Sequence, residues 1–319
     1  MSYVLQPQEQ IGPGLRRIAL DQLDHARESL THPGQRPYEA IHDARKRFKK
    51  IRALLRLVRD EIGPDLYRQE NVFYRDAGRR LAGVRESFVM IQTLDEVLAA
   101  YAGEVDSEAF RQTREQLSAD HRELSRRIIQ EEEIPAQVAE LIEGGRRRLA
   151  TLPIKRQTYE AIRPSLRRVY ARGYRGLHKA YEVPHPENFH EWRKRVKYLW
   201  YHVRLLDPLW PGLFPAWAEQ LHDLSEYLGG AHDLAQLRAH TLEKPELCPD
   251  DEQRRLLLEL LQRRRAELEA AAQPLGRRIY SERPEAFVQR MGGYWQVWQE
   301  QGPESAAPDA LPLQSAQGI

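Results

Sequence analysis

With 319 residues, 41% of them apolar, the chain has room for one large domain or two modules of about 150 residues each, and enough Leu, Val, Ile and Trp to bury a core. Its formal net charge of +2 excludes a global field that would mark a polyanion partner, so any such partner has to be read from where the 49 basic residues sit. A single cysteine, Cys248, excludes an internal disulfide and a thiolate metal cluster; no stretch approaches the ~18 continuous apolar residues of a membrane span.

The N-terminus, MSYVLQPQEQ, lacks the basic-then-apolar order of a signal peptide, and the expectation is a soluble, cytoplasmic protein with no membrane contact. Apolar spacing is helical almost throughout, which predicts an all-α chain. Taken in order, the breaks fall at Thr31–Pro37, Gly63–Pro64, Gly103–Asp106, Glu133–Pro135, Leu152–Pro153, Val183–Pro186, Pro208–Pro215, Leu242–Asp251 and Arg283–Pro284. The segments between them run to roughly 15–28 residues, the lengths of bundle helices with short connections. From Gly302 onward Ala, Pro, Ser and Gln show no periodic face, and residues 301–319 read as a disordered tail.

The first segment carries Leu15-Arg16-Arg17-Ile18. The next, Ile41–Arg59, has an apolar stripe of Ile41, Ala44, Phe48, Ile51, Leu55 and Val58. On its other side stand His42, Arg45, Lys46, Lys49, Arg52 and Arg56, within roughly two-fifths of the helix circumference. Further on come Arg79, Arg80 and the block Leu81–Glu86, which includes Arg85.

The same order then returns. Leu166-Arg167-Arg168-Val169 matches the first block, and Leu228-Gly229-Gly230-Ala231-His232-Asp233 matches Leu81–Glu86. Between them Phe189–Leu205 aligns on Ile41–Leu57 without a gap: His42/His190, Arg45/Arg193, Lys46/Lys194, Arg47/Arg195, Lys49/Lys197 and Arg56/Arg204 coincide. Phe189, Trp192, Val196, Leu199, Val203 and Leu206 make its apolar stripe; His190, Arg193, Lys194, Lys197 and Arg204 share the other side with Trp200 and Tyr201. Three blocks in one order predict a duplicated helical module, with halves 10–152 and 153–300.

Between residues 41 and 59 there are eight Lys/Arg and one acid, Asp43, so i,i+4 ion pairs cannot neutralise this face. Only eight of the 49 basic residues are lysine, and five of those, Lys46, Lys49, Lys50, Lys194 and Lys197, lie in the two motif helices. Ammonium donors beside guanidinium forks suit phosphate oxygens presented in several orientations. The segment Lys155–Lys179 adds eight more cations against one acid, Glu160. A lone charge run usually just faces water; acid depletion recurring at matching positions in both halves reverses that reading.

This pattern resembles the CHAD family, the conserved-histidine α-helical domain. The resemblance rests on H-x-x-R-K-R-x-K in both halves, on the Arg-Arg pair before it and on the L-x-G-x-[RH]-[ED] block after it, over roughly residues 10–300. It implies two four-helix bundles related by a pseudo-two-fold axis around a basic groove or pore. It also implies binding of inorganic polyphosphate, association with polyphosphate granules, and no catalytic residue, metal or cofactor. Carried onto this chain, the binding residues are His42, Arg45, Lys46, Lys49, Arg52, Arg56, His190, Arg193, Lys194, Lys197 and Arg204, with Arg16, Arg79, Arg85 and Arg167 as secondary contributors. Phosphate or sulfate can use the same contacts. Two departures stand out: Arg85-Glu86-Ser87-Phe88 replaces the family's Arg-Asp-x-Asp, and Trp200 takes the place of Arg52.

The runner-up is a nucleic-acid-binding helical protein that uses the same arginines, with Trp200, Tyr201 and Tyr174 as stacking platforms. A metal-dependent phosphohydrolase ranks below it, since His42-Asp43, His222-Asp223 and His232-Asp233 are dipeptides without a ligand constellation. Protonation of His42 and His190 beside phosphate predicts tighter binding at mildly acidic pH. The runs Arg146–Arg148 and Arg263–Arg265 read as solvated surface.

Overall fold

The computed structural model describes residues 3–7, 9–34 and 37–301, so positions 302–319 of the expected disordered tail lie outside the described residues. Twelve α-helices follow one another, and no strand occurs among the described residues: α1 (Ile11–Thr31), α2 (Pro37–Leu57), α3 (Arg59–Ile62), α4 (Pro64–Arg80), α5 (Ala82–Ala100), α6 (Arg111–Arg126), α7 (Ile134–Ala150), α8 (Arg163–Glu182), α9 (Pro186–Leu205), α10 (Phe214–Glu243), α11 (Asp251–Ile279) and α12 (Pro284–Glu300). No helix is long and apolar enough among the described residues to cross a membrane.

Proline explains most of the starts. It opens α2 and occupies the first turn of α4, α7, α8, α9, α10 and α12, where its missing N–H costs nothing because that donor has no intrahelical acceptor. At α11 the Asp250 carboxylate accepts from the Gln253 N–H at 2.8 Å and caps the helix instead. Gly63, at φ 83°, ends the short α3 in a conformation that a side chain would strain.

The boundary between α4 and α5 carries no proline. The two helices meet at Leu81, and the residue is fully buried. The corner forms because the two helices serve different cores. α4 packs on α2 and α7, while α5 packs chiefly on α6 and α10. The larger core takes in α1, α2, α4 and α7 together with α8, α9, α12 and the first half of α10, so it runs through both sides of Leu152–Pro153. The smaller one joins Ile91, Leu94 and Val97 of α5 and Leu117 of α6 to Leu234 and Leu237 of α10 and Leu257, Leu260 and Leu261 of α11.

The two predicted apolar stripes are both buried, Ile41 to Val58 and Phe189 to Leu206. Trp192 anchors the second stripe at 0% exposure, and burial of a side chain that size contributes about 3 kcal/mol. Its indole lies so close to α11 that a Cβ on Gly276 would stand 2.7 Å from the ring, which requires glycine there. Tyr201, placed by sequence on the polar face, is instead a core residue at 3% exposure, because α2 crosses α9 at that level. The crossing is fixed by His202, fully buried, whose Nε2 donates to the Ala53 carbonyl at 2.9 Å. Burial holds this imidazole neutral, with a pKa near 4. Arg56 faces Tyr198 on one side of that contact and Lys50 faces Arg204 on the other, so the two helices run antiparallel.

Candidate polyanion-binding site

Where α2 and α9 lie side by side, their cations meet. Lys49 is the central group. Its side chain is exposed, and the cations of α2 and α9 crowd its ammonium. Burial, then Arg193, Arg45 and Lys197, push its pKa down to about 7, and Asp233 is the opposing carboxylate. His42 stands nearby, lowered to about 4 by burial and then by Arg85, Lys49, Lys46 and Arg45. Side chains from α2, α5, α9 and α10 thus gather around Lys49 in one positive cluster, here termed the hollow.

The backbone and a few acids hold these cations in place. Arg45 donates from Nη1 to the Gly78 carbonyl at 2.7 Å, with its other arm 3.7 Å from Glu86. Lys197 sits 3.5 Å from Glu226 and 4.6 Å above the Trp200 ring, which Arg204 flanks at 5.1 Å. Trp200 in turn stacks on His222, ring centres 5.2 Å apart. Arg52 donates to Asn71 Oδ1 at 3.1 Å. The buried Nε atoms of Arg56 and Arg193 have no hydrogen-bond partner in the protein. Lys46 pairs with Asp43 at 3.2 Å, and Lys194 pairs with Glu191.

Of the four secondary arginines only Arg85 joins the hollow, where Asp233 attracts it and burial lowers its pKa. The other three take partners elsewhere. Arg16 donates to the Leu152 carbonyl at 3.0 Å, Arg167 pairs with Glu285 at 2.6 Å, and Arg79 lies 3.6 Å from Asp76.

Two participants were named in the sequence reading but not assigned to the binding site. Asp233 faces Arg193, Arg85 and Lys49, and burial raises its pKa despite them. His232 lies on His190, ring centres 4.1 Å apart; burial and then His190 bring His232 to about 3. His190 is itself lowered, by burial and then by Lys194 and Arg193. The signal for both was present: the block Leu228–Asp233 aligns on Leu81–Glu86, which sets His232 where Arg85 stands and Asp233 where Glu86 stands. No group of three or more His, Cys, Asp or Glu side chains among the described residues is arranged to hold a metal ion. What the hollow offers is ammonium and guanidinium donors aimed at one space, the chemistry that receives oxyanions through charge-assisted hydrogen bonds.

An all-helical fold with a basic histidine-bearing hollow defines a class, and the comparisons supply the family. Residues 16–242 match the family model described as CHAD domain, well over half of the chain, and the chain belongs to the CHAD family. Its structure is similar to the crystal structure of the CHAD domain from the plant Ricinus communis, with a TM-score of 0.66 at 14% identity, over 87% of this chain and 94% of that one. At that identity the likeness shows a common fold. No curated protein matched the chain in sequence.

Proposed function

We propose that this CHAD protein binds inorganic polyphosphate along the joined basic faces of α2 and α9 and performs no chemistry on it. Lys49 is the observation that carries the reading. A lysine held among Arg45, Arg193 and Lys197 with its pKa near 7 is costly in the free protein, and a polyanion in the hollow removes that cost. A polymer with about one charge per internal phosphate resembles a nucleic-acid backbone without bases, so its affinity should fall steeply with salt. Association with polyphosphate granules follows from such binding.

The reading includes duplicated halves, 10–152 and 153–300, related by a pseudo-two-fold axis through the crossing of α2 and α9. Paired contacts support it. Arg45 with Glu86 has its counterpart in Arg193 with Asp233, His42 beside Arg85 in His190 beside His232, and Arg56 on Tyr198 in Arg204 near Lys50.

The test is calorimetric titration with long-chain polyphosphate at two salt concentrations, against orthophosphate and duplex DNA. The expected result is salt-sensitive binding to polyphosphate that the variant Arg45→Ala/Lys49→Ala/Arg193→Ala/Lys197→Ala loses while its helicity is unchanged. A nucleic-acid reading draws on Trp200, half-buried between Lys197 and Arg204. Equal or tighter binding of DNA or single-stranded RNA would install that reading instead. Phosphate release from polyphosphate by the purified protein would sink the non-catalytic part.

A further inference from the structure

Beyond Arg56 the cationic row of α2 runs into a second cluster, where Arg56 and Arg195 of the two motif helices meet arginines of α3 and α8. A small cavity between α2, α8 and α9 is lined by Arg56, Arg59, Arg168, Arg172 and Arg195, with Tyr198 and Ser165. Asp60 neutralises Arg168 at 3.1 Å, and Glu191 pairs with Arg195 at 3.0 Å. Arg56, Arg59 and Arg172 make no ion pair with a carboxylate among the described residues. Arg56 rests 4.2 Å over the Tyr198 ring, and Arg59 lies 5.1 Å over Tyr67. Arg56 Nε is buried without a hydrogen-bond partner.

We propose that this arginine pocket is a terminal-phosphate site, taking the doubly charged free end of a polyphosphate chain while the α2–α9 hollow holds its singly charged interior. The inference rests on the polyphosphate reading only for the source of that end group.

Charge and position argue for it. A terminal phosphoryl group carries about −1.5 to −2 at neutral pH, more than an internal phosphate, and the pocket gathers three guanidiniums without an ion-paired carboxylate among the described residues. Seven residues of helix separate Lys49 from Arg56, about 10 Å at 1.5 Å per residue, so a chain lying in the hollow reaches the pocket directly. The cavity as it stands admits little more than a water-sized particle, so the proposal requires Arg59 and Arg172, which no ion-paired carboxylate among the described residues tethers, to swing aside for the phosphoryl group. Planar forks in a half-enclosed site favour bidentate contact with tetrahedral oxyanions. The counterpart surroundings of Arg204 hold Lys50, Tyr3 and Trp200 instead, so the arginine cluster does not recur there among the described residues.

Tyr198 is a built-in reporter. Burial pushes its phenol up, yet Arg56, Arg52 and Arg195 together bring it below the ordinary tyrosine range. An anion among those arginines relieves their field and moves the ionisation back up. The first arm follows tyrosinate absorbance against pH with and without inorganic phosphate. The lowest-pH transition, identified by its loss in Tyr198→Phe, should move upward in the native protein and stay fixed in Arg172→Ala/Arg195→Ala.

The second arm compares long-chain polyphosphate with free ends and with amine-capped ends. Capping should weaken binding to the native protein about ten-fold and leave the double variant indifferent. Arg172→Gln, which spares the Arg195–Glu191 pair, repeats the test where the double variant misfolds. Equal sensitivity to capping in native and variant protein, or none in either, overturns the proposal, as does a Tyr198 transition that phosphate leaves unmoved. If long chains fail to bind the native protein while phosphate still moves Tyr198, the polymer reading falls and the phosphate pocket stands.

Discussion

Two arginine-rich surfaces of this molecule behave differently. On α11 the consecutive Arg263, Arg264 and Arg265 each have an acid: Glu104 at 2.6 Å, Glu267 at 2.9 Å and Glu269 at 3.2 Å. On α2 and α9 the cations of the hollow outnumber their acids, and Lys49, His42, Arg45 and Lys197 all lose proton affinity, with burial as the leading cause. The α11 run balances its charges one for one, whereas the α2–α9 surface keeps crowded cations in excess of the acids that pair with some of them, as the proposed polyanion would require. Charge number alone does not separate the two.

The sharpest way to break this contrast is to remove charge from each surface in turn. The quadruple hollow variant is expected to lose at least about 100-fold in polyphosphate affinity and to show a shallower salt slope, since fewer counterions are released. Arg263→Ala/Arg264→Ala/Arg265→Ala should stay within about two-fold, since each of those arginines already pairs with an acid and lies on α11, a different helix from those of the proposed site. Comparable losses in both would make binding a matter of overall positive charge and end the distinction.

A third surface tests the same idea from the stability side. Arg148, from a run expected to face solvent, instead pairs with the fully buried Glu70 at 2.5 Å and lies 4.4 Å over Phe73. Arg148→Ala leaves that carboxylate buried alone and should cost about 3 kcal/mol in denaturant unfolding, with polyphosphate affinity unchanged. A loss of binding at unchanged stability would place Arg148 with the hollow.

How much of this could be read beforehand depends on the range of the interaction. The apolar stripes of α2 and α9 and the prolines that start most helices are local patterns, and the structure places them as expected. Arg148–Glu70, the corner at Leu81, the smaller core and the arginine pocket all join residues far apart in the chain, for which periodicity carries no signal. Asp233 and His232 lie between these cases. Their alignment with Glu86 and Arg85 was visible, but a His-Asp dipeptide on a helix reads first as a surface pair.

Smaller still is the expected stability gain from removing the central lysine. A lysine whose folded pKa is lowered is more readily protonated unfolded, so its charge destabilises the fold at and below neutral pH and ceases to as pH rises from about 7 toward 10.5. Lys49→Met, similar in length and neutral, should therefore raise stability by about 1–2 kcal/mol at pH 6, an amount discounted for the solvent access of the ammonium. The gain should vanish near pH 10.5. A variant less stable than native at pH 6 would mean that Lys49 is favourably held without any ligand.

The same lysine sets the pH dependence of binding, the smallest effect and the one that reassigns a cause. Histidine protonation was the expected source of acid-side tightening, but His42 near 4 and His232 near 3 are neutral across the pH 6–9 range in the free protein. Lys49 titrates near 7, facing Arg193, Arg45 and Lys197 against the single carboxylate of Asp233. Bound phosphate favours its charged form and raises its pKa, so binding takes up a proton above pH 7. Affinity should weaken about ten-fold between pH 7 and pH 8.5, where one pKa unit corresponds to about 1.4 kcal/mol. Lys49→Arg, charged throughout, should flatten the profile, while His42→Gln and His190→Gln leave its shape intact. A profile that flattens with the histidines removed and persists with arginine at position 49 would return the proton to the imidazoles.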